Sequence, residues 1–302
     1  MLTILHISDL HFGPTYIPAV GEALVRAAHR LRPAVIITSG DFTQRAKREQ
    51  FLAARQYLDR FPPATRIFVP GNHDVPLYRV LERLVRPYAL YQEHLADTLD
   101  TVVRRPDAVI VALNSTTPWR AITNGRIRRR QLALCAEAFA EAPAGAARIV
   151  VTHHHWAPAP DYEGGEVIPW ARSALDVLTQ LRVDLILSGH LHRAFIGNSL
   201  DIYAGADREH GILIVQCGTS TSRRGRARER EKNSFNWIRI AARVIRITHY
   251  MYFAEVGSFA PVSRHFFPRA SRPYFEQAPS QRGGRVGATG RSPKSPEPGE
   301  PP

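Results

Sequence analysis

The chain has 302 residues and a formal net charge of +13, enough length to bury a full core as one large domain with an appendage. No basic-then-apolar leader precedes the first apolar run and no stretch approaches the roughly 18 apolar residues that cross a bilayer, so no membrane insertion is expected and the expected location is the cytoplasm. Two cysteines, Cys135 and Cys217, make no disulfide framework, and a positive surplus carried almost wholly by arginine attracts polyanions at long range without selecting one.

The first apolar run, residues 3–7, ends in Ser8-Asp9-Leu10-His11. Ile17, Val20, Leu24, Ala28 and Leu31 then recur every three or four residues, the spacing of a helix with one apolar face. Residues 35–38 are a second apolar run, ending in Ser39-Gly40-Asp41, and Phe51, Ala54, Leu58 and Phe61 repeat the helical spacing. A third run, 67–69, ends in Pro70-Gly71-Asn72-His73-Asp74. The stretch 78–99 reads as one or two helices interrupted at Pro87.

Residues 108–113 read as a strand ending in Asn114-Ser115-Thr116, Asn124-Gly125 as a turn, and 128–142 as a helix with Cys135 at core spacing beside Leu132 and Phe139. Residues 148–152 lead into His153-His154-His155. Ala171, Leu175, Leu178 and Leu181 give another helical face, and 185–187 lead into Ser188-Gly189-His190-Leu191-His192. Strand and helix alternate in the manner of right-handed βαβ units with a mainly parallel sheet. Beyond His192, residues 212–216, 235–240 and 244–252 are β-rich with no strong helix between them, which predicts antiparallel strands completing a second sheet. From Ser271 onward Pro, Ser, Gly and Arg dominate, so the expected division is a domain over 1–270 and a disordered tail over 271–302.

Five of these β-rich runs end at once in carboxylate, amide or imidazole side chains. Loops leaving the carboxyl ends of parallel strands are where open α/β sheets bind ligands, so the five loops are expected to meet at one site. There Asp9, His11, Asp41, Asn72, His153, His190 and His192 offer oxygen and nitrogen donors and no thiolate. Seven such donors exceed the needs of one metal ion but suit two divalent ions, Mn, Fe or Zn rather than a soft-ligand metal. Two ions about 3.5 to 4 Å apart share a water, lower its pKa and clamp a phosphoryl group, which makes phosphoester hydrolysis the expected chemistry.

Asp-x-His, Gly-Asp, Gly-Asn-His-Asp, a later His and Gly-His-x-His, in that order over residues 9–192, resemble the calcineurin-like metallophosphoesterase superfamily. The resemblance implies an α/β fold, a two-sheet β-sandwich flanked by helices in four αββα layers. It also implies one metal on Asp9, His11, Asp41 and His192, a second on Asp41, Asn72, His153 and His190, and attack by a hydroxide bridging them. His73 is similar to the family's unliganded histidine that protonates the leaving group, with Asp74 orienting it. Ser8-Asp9-Leu10-His11-Phe12, Gly40-Asp41-Phe42-Thr43-Gln44, Gly218-Thr219-Ser220 and Asn233-Ser234-Phe235-Asn236 resemble the bacterial class III cyclic-nucleotide phosphodiesterases. Gln44 and Arg45 stand where many of that group carry an acidic residue, and His154-His155-Trp156 replaces the common His-Pro-Pro.

The densest charge run is 223–232, with Arg223, Arg224, Arg226, Arg228, Arg230 and Lys232 relieved by Glu229 and Glu231. It reads either as a solvated loop or as a phosphate contact beside the site. Three functions follow: a phosphodiesterase acting on a small diester such as a cyclic nucleotide, a nuclease of the double-strand-break-repair type, and a polyanion-binding protein with a vestigial metal site. Nothing after His192 looks like a DNA-capping domain, so nucleic acid is not the favoured partner.

Overall fold

A computed structural model describes residues 1–119, 125–158, 167–202, 211–225 and 232–269. In chain order its elements are β1 (Leu2–Ile7), α1 (Pro18–Leu31), β2 (Val35–Thr38), α2 (Arg48–Asp59), β3 (Thr65–Phe68), α3 (Val80–Val85) and α4 (Ala89–His94). There follow β4 (Thr101–Arg105), β5 (Ala108–Ala112), α5 (Arg129–Ala140), β6 (Ala147–Val151), α6 (Ala171–Gln180), β7 (Leu185–Ser188), β8 (Phe195–Asn198) and α7 (Ser199–Ile202). The last strands are β9 (Leu213–Gln216), β10 (Ser234–Ile240), β11 (Val244–Phe253) and β12 (Ser258–Pro268). The expected tail, most of the arginine-rich segment and Asn124 of the expected turn lie outside the described residues.

Among the described residues the strands form two six-stranded sheets, ordered β12-β11-β10-β1-β2-β3 and β4-β5-β6-β7-β9-β8. The apolar runs are continuous because each central strand is covered on both faces. In β1, Leu5 and Ile7 face Val20, Leu24 and Ala28 of α1, and Phe51, Ala54 and Leu58 of α2 share that cluster. Leu2 and Ile4, on the other face, join Ile149 and Val151 of β6 and Leu185 and Leu187 of β7 between the sheets. Val150 and Ile186 face outward, into a third cluster with Cys135 and Phe139 of α5 and Leu175 and Leu178 of α6. The result is the four-layer αββα sandwich expected from the resemblance.

Three features depart from the sequence reading. The late β-rich runs do not form one antiparallel set. β9 pairs parallel to β7, between it and the edge strand β8, while β10, β11 and β12 extend the first sheet antiparallel from β1. Nor do the five site-bearing strands share a sheet: β1, β2 and β3 are parallel in one, β6 and β7 in the other. Apolar content reports two buried faces but not the neighbouring strand. Strands β4, β8 and β12 carry mixed residues and were not expected as strands. The break at Pro87 does separate α3 from α4.

The two sheets are tied at the end of β12 by a buried ion pair, Arg269 Nε to Asp184 Oδ1 at 3.3 Å and Nη2 to Oδ2 at 3.4 Å, and Asp184 also accepts the Arg148 N–H at 2.9 Å. Breaking a buried pair by removing one partner typically costs 3–5 kcal/mol, roughly. These contacts are long and Asp184 keeps its N–H donor, so Arg269→Ala is expected to lower unfolding free energy by about 3 kcal/mol, read by urea denaturation; a loss under about 0.5 kcal/mol would assign the pair no structural role.

Candidate metal centre

The loops after β1, β2 and β3 approach those after β6 and β7, and backbone bonds lock them together. Asp9 N–H donates to Gly40 O and His11 N–H to Asp41 O, both at 3.0 Å, and Gly189 N–H donates to His153 O at 3.0 Å. Five of the expected ligands have left-handed backbones: φ is 54° at Asp9, 50° at His11, 55° at Asp41, 77° at His190 and 55° at His192. Non-glycine residues hold this conformation only where surrounding structure enforces it, and such strain concentrates at functional sites. The loops also approach too closely for larger side chains. A Cβ on Gly71 would stand 2.1 Å from Asp41 Oδ1, and one on Gly189 would stand 1.9 Å from Ser8 Oγ.

All seven expected ligands are brought together. Asp9, His11, Asp41 and His192 are buried with ligating atoms within 4.8 Å of one another. His192 Nε2 lies 3.1 Å from Asp9 Oδ1 and 3.1 Å from His11 Nε2. The second group gathers around Asn72 Oδ1, which is 3.0 Å from His153 Nε2 and 2.9 Å from His190 Nδ1, those two nitrogens being 3.3 Å apart. Asp41 stands between the groups: Oδ2 is 3.6 Å from His11 Nε2 and Oδ1 is 3.5 Å from His153 Nε2.

Main-chain carbonyls fix two of the rings. His153 Nδ1–H donates to Ser39 O at 2.8 Å and His192 Nδ1–H to Arg224 O at 2.6 Å. A carbonyl only accepts, so each Nδ1 carries a proton, and with the ring in its neutral form each Nε2 turns a bare lone pair toward the site. Ser39 is held in turn by the buried His6, whose Nε2 is 2.9 Å from Ser39 Oγ and whose pKa burial pushes down to about 3. The lone pairs of His153 and His192 thus face other acceptors: Asn72 Oδ1 and Asp9 Oδ1. Asp9 Oδ1 and Asp41 Oδ2 are buried with no hydrogen-bond donor. Buried acceptors facing one another are costly unless a cation lies among them, so these residues fit divalent metal ions.

The electrostatics divide the imidazoles, two toward the neutral form and His153 toward the protonated one in the absence of a cation. Burial pushes the His11 imidazole down to about 4 and, with neighbouring histidines, holds His190 well below its ordinary value, so both favour the neutral, ligating form. At His153 burial opposes protonation but the Asp41 and Asp9 carboxylates prevail and raise its pKa. Asp9 is held well below the carboxylate range, burial being outweighed by His192 and His11.

His73 sits beside this cluster. Its N–H donates to Asp41 Oδ1 at 2.8 Å, its ring lies 4.9 Å from that of His11, and its Nδ1–H donates to Gln44 O at 2.9 Å. Asp74, expected to orient that ring, is occupied elsewhere: its carboxylate accepts N–H groups of Phe42, Thr43 and Gly71 at 3.2, 2.9 and 2.9 Å and the Thr43 hydroxyl at 3.0 Å. Asp74 therefore clamps the Asp41 loop to the Gly71 turn, and Gln44 orients His73. Ser39, Gln44 and Arg224 act here through main-chain carbonyls, which residue type does not signal. His154 and His155 wall the second group, with rings 4.7 and 5.6 Å from that of His190, and Ser115 Oγ lies 2.8 Å from His154 Nδ1.

The 217–224 loop closes the other side. Thr219 Oγ donates to Asp9 O at 2.8 Å, Thr221 Oγ to Leu10 O at 2.9 Å, and Arg223 N–H to Thr15 O at 2.9 Å. This stitching carries the start of the arginine-rich segment to His192.

A profile of the calcineurin-like phosphoesterases matches residues 2–194. The chain belongs to the calcineurin-like phosphoesterase family. Members use dinuclear divalent metal centres, and the activity class is metal-dependent hydrolysis of a phosphoester. No curated protein matches the chain. Among solved structures it is similar to a dimetal phosphatase from Danio rerio, with a TM-score of 0.61, 13% identity, and coverage of 89% of this chain and 99% of that one. A purple acid phosphatase from yellow lupin (Lupinus luteus) gives a TM-score of 0.66 at 12% identity, over 89% of this chain and 54% of the lupin protein. At these identities the likeness concerns the fold.

Proposed function

We propose that this protein hydrolyses a small phosphodiester, with cyclic nucleotides among the candidate substrates, at two divalent ions held by the seven clustered ligands. The observation that carries the reading is Asp41, whose two carboxylate oxygens face separate donor sets, as a bridging ligand requires. Asp9, His11 and His192 complete one set, and Asn72, His153 and His190 the other. When bound, such ions supply Lewis acidity and a nucleophile at neutral pH.

The chain's own residues do the rest. Ser39 O and Arg224 O keep the lone pairs of His153 and His192 turned inward. Gln44 O keeps His73 Nδ1 protonated. Burial, reinforced by the Arg224 charge, lowers the pKa of this imidazole, so as general acid it has to take its second proton, on Nε2, in the complex with the negatively charged substrate before passing it to the leaving oxygen. The Arg224 main-chain carbonyl sits on His192 and the side chain's charge is felt, after burial and Asp41, at His73; we infer that a guanidinium this near the donors contacts a substrate phosphoryl oxygen.

The deciding experiment reconstitutes metal-stripped protein with Mn, Fe or Zn and assays monoesters, linear diesters, cyclic nucleotides and DNA side by side. Chelation is expected to abolish turnover and a divalent ion to restore it. Asp41→Asn should lose both metals and nearly all activity; two retained ions with normal rates would show that Asp41 does not bridge.

His73→Asn separates proton donation from metal binding. General acid catalysis contributes about 100- to 10,000-fold where the leaving group is a poor one. The variant should lose that much on a diester with an alkoxide leaving group and little on a nitrophenyl diester, with metal content unchanged. Equal losses on both would make His73 structural.

Arg224→Ala removes the guanidinium but keeps the carbonyl on His192. It is expected to raise KM for phosphodiesters about 10-fold or more, in keeping with loss of a charge-assisted contact, at constant metal content. An unchanged KM would take Arg224 out of the substrate site.

A further inference from the structure

The buried hydrophobic cluster between the two sheets is wholly aliphatic, with Ile4, Ile37, Ile238 and Ile247 of the first sheet meeting Ile149 and Leu187 of the second. One polar row crosses the same face. His6, Asn236 and His249 are direct partners on β1, β10 and β11, and strand alternation puts them on the side of Ile4, Ile238 and Ile247. His6 is 0% exposed and Asn236 2%. An imidazole and an amide are costly there unless each is hydrogen-bonded, and an aliphatic side chain would suit the layer as well as its neighbours do.

The row is bonded end to end. His249 Nδ1 lies 3.1 Å from Asn236 Oδ1, Asn236 Nδ2 lies 3.5 Å from His6 Nδ1, and His6 Nε2 lies 2.9 Å from Ser39 Oγ. Asn236 Nδ2 also donates to Gln216 O at 3.3 Å, which settles the ends of that amide, because a carbonyl only accepts. The protons then follow. His249 Nδ1–H donates to Asn236 Oδ1, the Asn236 amide donates to a bare His6 Nδ1, and His6 Nε2–H donates to Ser39 Oγ.

Ser39 is where the row reaches the ligands. Its carbonyl accepts His153 Nδ1–H at 2.8 Å and the Ser8 hydroxyl at 3.2 Å. Gly40 follows with φ of 94°, and a Cβ there would stand 2.4 Å from His153 Nδ1, so the 39–40 turn is the seat of the His153 ring. Without His6, the Ser39 hydroxyl keeps only the 3.5 Å contact with Ile7 O. His192, in the other donor group, takes its seat from Arg224 O instead.

We propose that His6 is a positioning residue for the second donor group: by holding Ser39 Oγ it fixes the carbonyl that seats His153, and so sets how tightly Asn72, His153 and His190 hold their ion. The proposal rests on the two-ion reading given above. It assigns to the core of the first sheet a part in metal affinity that falls on one ion of the pair.

The test is titration of the metal-stripped full chain with Mn, followed by calorimetry, in wild type, His6→Phe, Ser39→Ala and His6→Gln. Ser39→Ala removes only the hydroxyl and leaves the carbonyl, so it reads the same link where His6→Phe fails to fold. Each of these two is expected to weaken one ion about 10- to 100-fold and leave the other unchanged, the effect typical of losing a partner that orients a ligand. Combined, they should cost no more than either alone, since both cut one bond. His6→Gln returns an N–H donor to Ser39 Oγ and is expected to restore the affinity. Two ions held as tightly in the variants as in wild type overturn the proposal alone. So does equal weakening of both ions with a lowered urea midpoint, which would make His6 a stability residue, or a His6→Gln variant no better than His6→Phe. Wild-type protein that binds fewer than two ions strikes the two-ion reading and this proposal with it.

Discussion

The constraint on which the structure turns is a set of buried acceptors that cannot satisfy one another. Asp9 Oδ1 and Asp41 Oδ2 have no hydrogen-bond donor, and imidazole lone pairs face carboxylate and amide oxygens at about 3 Å. Isolated in a protein interior such an arrangement is prohibitively costly. With divalent cations among the donors it would become an attraction, and the left-handed backbones of five of the proposed ligand residues would then be strain that coordination offsets.

Around the donors lies a layer that no ligand pattern shows. Carbonyls of Ser39, Gln44 and Arg224 choose the tautomers of His153, His73 and His192, and the Asp74 carboxylate clamps two ligand loops through their N–H groups. Partners of this kind set the orientation and basicity of a metal ligand as surely as the ligand's identity does. The layer spans both sheets and the late 217–224 loop, so the candidate site depends on chain from well beyond its last proposed ligand, His192.

The helix next to the site obeys a different logic. α3 uses its arginines to hold the body, Arg79 on Ala46 O and Arg83 on Pro118 O, and leaves its aliphatic face outward, an arrangement that folding alone would not favour. Strain at the ligands and apolar exposure at α3 are both departures from what stability alone would choose, and both border the His73 loop.

The apolar strands, the helical faces, the break at Pro87 and the clustering of the seven proposed donors were legible in the sequence, because each is written in local residue type: two-sided burial makes a run of Val, Ile and Leu, and a candidate ligand loop shows Asp, Asn or His where that run stops. The sequence could not say that β9 lies parallel beside β7 while β10 turns back along β1, since a buried strand looks the same in either sheet. The edge strands β4, β8 and β12 escaped it for the opposite reason, half-exposed residues carrying too little apolar signal. Nor could it assign Asp74 to two backbone loops and the His73 ring to Gln44, because a carbonyl acceptor belongs to every residue and only the folded chain decides which one arrives.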